Sequence, residues 1–300
     1  MTTSTLSGII AYTITPFSAD DEQVNSEVLS KLIDKLIESG ADAIAALGSA
    51  GEGAYLNDQE WELVAEETIK HVHGRVPVIV GIAELTTKKA IARAVFAKKI
   101  GAEAIMVSPF SYYPLAEDEI HDHYAAISAA SSLPIMVYNN PATCGVDMSP
   151  EFMLAMVNDI ENVTMIKEST GDIQRMRKLQ RLSKGKVPFF NGCNYIALDA
   201  LNAGAKGWCT AAPCLIADLP KQLVDAVKEN KQEIAQQLFE QQLPLLEFIV
   251  KGGLAATVKA GLALKGLEAG VARRPLKPLT VENREKLAEL MHTIKAGRFK

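Results

Sequence analysis

Ser39-Gly40-Ala41-Asp42-Ala43-Ile44 returns as Ile100-Gly101-Ala102-Glu103-Ala104-Ile105, and again as Ala203-Gly204-Ala205-Lys206-Gly207-Trp208. Each copy sets Gly-Ala between a stretch of helical period and a strand-like run. A glycine there ends the helix in the left-handed conformation, and the next strand starts at once. Outward from these copies, strand-like runs recur at Gly8–Thr15, Ala43–Leu47, Val76–Gly81, Ala104–Ser108, Ile135–Tyr138, Val163–Lys167, Val187–Asn191 and Gly207–Thr210. Helical stretches fall between them: Ser26–Ser39, Asp58–His73, Thr86–Ile100, Glu117–Ala130, Ser149–Asn158, Ile173–Ser183 and Tyr195–Ala203. Parallel strands covered by crossover helices produce this alternation, and eight strands predict an α/β fold of the TIM (β/α)8 barrel class. Strand patterning stops near residue 212. Residues 1–230 are therefore expected to form the barrel, and residues 231–300 a C-terminal helical extension that serves packing or oligomerisation.

Composition narrows the partners. With 300 residues and 48% hydrophobic content, the chain has ample material for a core. No apolar run approaches the ~20 residues of a membrane span, and Met1-Thr2-Thr3-Ser4-Thr5 lacks the basic and apolar regions of an export signal. A cytoplasmic protein is expected. Cys144, Cys193, Cys209 and Cys214 show no CxxC spacing and read as reduced thiols. His71/His73 and His121/His123 are i,i+2 pairs that point to different helix faces, so no metal is expected. A net charge of −5 without a basic cluster gives no footprint for nucleic acid. The expected partner is a small molecule.

Chemistry points to Val163-Thr164-Met165-Ile166-Lys167-Glu168-Ser169-Thr170-Gly171-Asp172, which puts an ammonium at the mouth of a buried strand. An unpaired buried ammonium is costly, so such a lysine is neutralised, paired or reactive. The structural alternative is that Lys167 snorkels to water or pairs with Glu168. The functional reading is a nucleophile that condenses with a carbonyl to give a Schiff base. Other polar residues fall at the same ends of other strands, the end that carries chemistry in barrels. Gly48-Ser49-Ala50-Gly51-Glu52-Gly53 is a glycine-rich turn whose N–H groups and hydroxyl suit a carboxylate or phosphate. Tyr138, before Asn139-Asn140-Pro141, lies one strand from Lys167 and could relay protons. Asn191-Gly192-Cys193-Asn194 and Cys209-Thr210-Ala211 line a pocket or simply turn the chain.

Over essentially its whole length the chain resembles the dihydrodipicolinate synthase and N-acetylneuraminate lyase superfamily of Schiff-base lyases. The resemblance rests on Thr15-Pro16-Phe17, Gly48-Ser49-Ala50-Gly51-Glu52, Pro109 with Tyr112-Tyr113-Pro114, and Tyr138-Asn139-Asn140-Pro141. It continues through Ile166-Lys167-Glu168-Ser169-Thr170-Gly171-Asp172, Asn191-Gly192, and Arg274-Pro275 with Leu279. It implies that Lys167 forms an imine with a 2-oxo acid, that Ser49 with neighbouring amides holds the carboxylate, and that Tyr138 handles protons. Gly192, by the same resemblance, lets the backbone approach the substrate. No cofactor is implied. Homotetramers built as dimers of dimers are, and the loop Ser111-Tyr112-Tyr113 would then complete a neighbour's site.

Departures from the family's pattern bear on the second substrate. Dihydrodipicolinate synthases usually carry a second threonine where this chain has Ala50. They also carry an arginine, which grips the aldehyde's carboxylate, where this chain has Thr143. Counting back from Pro114, Ser111 stands where a tyrosine usually crosses the subunit interface, and a one-residue shift would put Tyr112 there. N-Acetylneuraminate lyases use an acidic pair after the glycine of strand 7, where this chain has Asn194 and Tyr195. Gly48, Ala50, Asn140, Thr143, Ser169, Gly192, Asn194 and Thr210 are the expected substrate-binding positions. The polar ones suggest a hydroxylated or nitrogen-bearing 2-oxo acid and a lyase, dehydratase or deaminase. Two alternatives stand beside this: a genuine dihydrodipicolinate synthase, and a non-catalytic 2-oxo-acid binding protein.

Overall fold

The computed structural model describes residues 6–18 and 23–296. Met1–Thr5, the stretch that bears on an export signal, and residues 297–300 of the expected extension lie outside the described residues. Eight parallel strands close into a barrel in chain order: β1 (Gly8–Tyr12), β2 (Ala43–Ala46), β3 (Val78–Ala83), β4 (Ala104–Ser108), β5 (Ile135–Asn139), β6 (Val163–Glu168), β7 (Phe189–Asn191) and β8 (Gly207–Thr210). This is the TIM barrel that the alternation predicts. At the three repeated Gly-Ala steps, Gly40, Gly101 and Gly204 have φ of +83°, +93° and +98°. Their conformation turns each helix into its strand as expected.

Some strands are shorter than their sequence pattern. β3 starts at Val78, because Pro77 offers no N–H to the ladder and contributes only its carbonyl, which accepts from Ile44 N at 2.9 Å. Pro188 does the same for β7, accepting from Ile166 N at 3.1 Å. β1 ends at Tyr12 although Thr13-Ile14-Thr15 is β-rich. Thr15 Oγ1 instead donates to Gly51 O at 2.6 Å, drawing the chain over the turn that follows β2.

The eighth barrel helix is Leu219–Lys228, and helices Gln232–Lys251, Leu254–Leu264 and Val281–Ala296 form the extension. Leu245, Leu246, Ile249, Val258, Leu262 and Leu287 are fully buried and join the core that the strands build. The extension therefore shares the barrel's core. Among the described residues no helix is long and apolar enough to cross a membrane.

Candidate active site

Lys167 and Tyr138 are Cα partners across β5 and β6. Partners in register place their side chains on one face, and each next residue points to the other. Lys167 is 4% exposed; its Nζ donates to Tyr12 Oη at 3.1 Å and lies 3.7 Å from the centre of the Tyr138 ring. Glu168 turns the opposite way. Its carboxylate accepts from Arg175 Nε at 3.1 Å, Asn139 Nδ2 at 3.2 Å and Thr170 N at 2.7 Å. The pairing of Lys167 with Glu168, the structural alternative, is therefore not formed. Local sequence explains the arrangement. Gly171 turns the chain at φ +82°, and Asp172 then caps helix Ile173–Ser183 by accepting from Gln174 N at 2.9 Å, which carries Arg175 back to Glu168.

Two tyrosines flank the ammonium, and their pKa values are shifted in opposite directions. Burial pushes the Tyr138 hydroxyl up, but the Lys167 ammonium and hydrogen bonds from Ser49, Asn140 and Lys167 more than offset it, leaving Tyr138 below the ordinary phenol value. Asn140 Nδ2 donates to Tyr138 Oη at 2.8 Å, and Ser49 Oγ stands 3.4 Å from it. Burial, with smaller contributions from Cys209 and Tyr138, raises Tyr12 well above that value. Its hydroxyl donates to Met106 Sδ at 2.8 Å while accepting from Lys167. Environments that split the pKa values of like groups mark different acid–base tasks. Tyr12 is absent from the sequence-based candidates, because a first strand drawn to Thr15 hides Tyr12 in its middle. Its true place is the strand's C-terminal end.

Ser49 sits on a strained turn. Leu47 and Glu52, neither a glycine, take φ of +62° and +54°. Gly51 N and Gly53 N both return to Gly48 O, and the Ser49 and Ala50 N–H groups take no part in these bonds. A Cβ on Gly48 would collide with the ring of Tyr12. The far end of the turn is gripped by the extension. Glu52 Oε1 lies 2.6 Å from Lys259 Nζ, both side chains being 1% exposed, and Glu52 Oε2 accepts from Arg273 N at 2.6 Å. Lys259 also donates to Val271 O at 2.9 Å and lies 3.9 Å from the Phe17 ring centre. The extension thus fixes the turn that carries Ser49, beyond the packing role expected of it.

The model of the dihydrodipicolinate synthetase family matches residues 5–294. The chain belongs to that family. A 4-hydroxy-tetrahydrodipicolinate synthase of Bacillus subtilis (strain 168) is 32% identical over 92% of this chain and 94% of its own length. A crystal structure from Pseudomonas aeruginosa, provisionally named a dihydrodipicolinate synthetase, is 52% identical and covers 97% of this chain and 100% of its own, with a TM-score of 0.95. The chloride-inhibited dihydrodipicolinate synthase of Acinetobacter baumannii complexed with pyruvate is 28% identical, covers 96% of this chain and 98% of its own, and has a TM-score of 0.91.

Within the family frame, the other expected positions separate into groups. Gly192 touches the centre: a Cβ there would collide with Ser169 Oγ and Lys167 Cε. Gly192→Ala is therefore expected to displace Ser169 and Lys167 and to cost about 1–3 kcal/mol of stability, read by urea unfolding. Ser169 Oγ is buried beside Lys167 without a hydrogen-bond partner among the described residues. Asn194 and Thr210 are spent on each other, Thr210 Oγ1 donating to Asn194 Oδ1 at 2.9 Å. Thr143 Oγ1 donates to Asn140 O at 3.1 Å. Ser111 accepts from Tyr113 N at 3.2 Å, and Tyr112 and Tyr113 stand 84% and 72% exposed.

A cavity of about 560 Å³ opens from the turn. Gly48, Ser49, Tyr138 and Thr143 are in its wall, but Asn140, Ser169, Asn194 and Thr210 are not. Of those four, Asn140, Asn194 and Thr210 make side-chain hydrogen bonds within the protein, whereas Ser169 Oγ has no partner among the described residues.

Proposed function

We propose that the protein is a lyase that holds pyruvate or another 2-oxo acid as a Schiff base on Lys167. The observation that carries this reading is the contact of Lys167 with both tyrosines and, through Tyr138, with Ser49, at the barrel end where such sites lie. Ser49 Oγ and the Ser49 and Ala50 N–H groups seat the carboxylate. Seating it presents the keto carbon to the amine and makes the condensation effectively unimolecular. Lys167 first yields a proton, for which Tyr138, shifted toward its ionised form, is the acceptor. Nζ then attacks the keto carbon, water leaves with protons relayed by Tyr138, and a protonated imine results. That imine draws electrons from the adjacent carbon, whose proton departs to give an enamine. Carbon–carbon bond formation or cleavage, dehydration and deamination all start from this species.

Borohydride trapping with pyruvate, read by peptide mass spectrometry, tests the reading. A reduced adduct on Lys167 supports it, and an adduct located elsewhere ends it. The tyrosine gives a second test. Only an ionised hydroxyl accepts a proton, so kcat/KM is expected to rise as pH climbs through a value below 10.0. Tyr138→Phe should lose that limb and roughly 10²–10⁴ in rate.

Dihydrodipicolinate synthesis from pyruvate and aspartate semialdehyde is the second reading, favoured by the names of relatives such as the Bacillus subtilis enzyme. Thr143, where an arginine clamp belongs, argues against it, because losing a bidentate grip on a carboxylate is expensive. We further propose a cytoplasmic homotetramer, in which the exposed Ser111–Tyr113 loop meets a second copy. Light scattering reads the mass directly.

A further inference from the structure

We infer that the group joined to the reacting carbon is uncharged and chiefly apolar, so that the second substrate is an aldehyde with an aliphatic or aromatic tail rather than a second carboxylate. The inference rests on the Schiff-base reading and concerns the same site. Pockets of roughly 300–1,000 Å³ hold ligands of drug size. At about 560 Å³, the cavity beside Ser49 and Tyr138 is far larger than pyruvate needs.

Its chemistry is set by where its walls come from. Leu47 and Ile82 stand at the ends of β2 and β3, Phe110 follows β4, and Leu254 and Leu276 arrive from the C-terminal extension. Among the described residues no lysine, arginine or histidine is in the wall, and the single charged side chain there, Glu52, is held by Lys259. A second carboxylate entering this space would lose its water without gaining a partner. An apolar tail would gain from the same burial. The hydroxyl-bearing side chains in the wall are Ser49, Tyr55, Ser108, Tyr138 and Thr143, and Tyr138 Oη suits the hydroxyl that forms at the reacting carbon. In the condensation direction, the enamine carbon attacks the aldehyde carbon and the carbonyl oxygen takes a proton. Water then cleaves the imine, releasing a 4-hydroxy-2-oxo acid and the Lys167 amine.

One preparation of the full chain tests this. Pyruvate is supplied with benzaldehyde, 3-methylbutanal, glyoxylate or succinic semialdehyde, and kcat/KM is measured for each aldehyde. The apolar pair is expected to exceed the acidic pair by at least about tenfold, the scale on which one pocket contact discriminates. Leu254→Arg, or Leu276→Arg at a position already 36% exposed, should narrow or reverse that ratio. Borohydride trapping in the same preparation separates the two ideas. An adduct on Lys167 with acidic aldehydes preferred, or with no preference, overturns the inference and leaves the Schiff-base reading intact. Absence of any adduct overturns the reading itself.

Discussion

Lys167→Ala is expected to abolish the borohydride-trapped pyruvate adduct and to lower turnover by roughly four orders of magnitude or more, the scale seen when a covalent nucleophile is removed. The size follows from how much converges on one nitrogen. Nζ is donor to Tyr12, lies over the Tyr138 ring and helps lower the Tyr138 hydroxyl. On the proposed Schiff-base reading, removing it takes away the bond-forming atom and also relaxes the proton relay. Lys167→Arg makes a useful companion, since it keeps a cation there but cannot form an imine. Equal loss in both variants assigns the effect to nucleophilicity, whereas substantial turnover in the arginine variant would reduce Lys167 to an electrostatic role.

The second large effect concerns stability. Lys259→Met is expected to cost about 3–5 kcal/mol, the usual result of leaving one member of a buried ion pair without the other. Both side chains are 1% exposed, so water cannot take over the lost contact. Against a total stability of about 5–15 kcal/mol this is severe. Urea unfolding measures it, and the double variant Lys259→Met with Glu52→Gln should recover part of the loss, because the stranded charge is then gone. If the single variant does not fold, the double variant still decides. A double no more stable than the single would sink the ion-pair explanation.

Much of the fold could be read from the chain because its determinants are local. Gly40, Gly101 and Gly204 announce helix ends within a few residues, and the strands they open are apolar on both faces because both are covered. Lys167 declared itself by the cost of its position, and Tyr138 by standing at the end of the next strand. Tyr12 was hidden because its partner Lys167 lies 155 residues away, and because Thr15 turns to Gly51 where β propensity would carry the strand onward. Glu52 and Lys259 were illegible for the same reason. Each looks like an ordinary surface charge until the closed barrel brings them together. The cavity wall was harder still, since Leu47, Phe110 and Leu276 come from opposite ends of the sequence.

The clasp between Glu52 and Lys259 also bears on the order in which the molecule can be completed during synthesis. By residue 230 a growing chain has supplied all eight strands of the barrel, yet the carboxylate at the rim of β2 still waits for a cation encoded near residue 259. The turn after β2 is thus tied to a segment far later in the chain, and a chain shortened before residue 259 would lack both the cation that holds Glu52 and apolar side chains by which the extension joins the core.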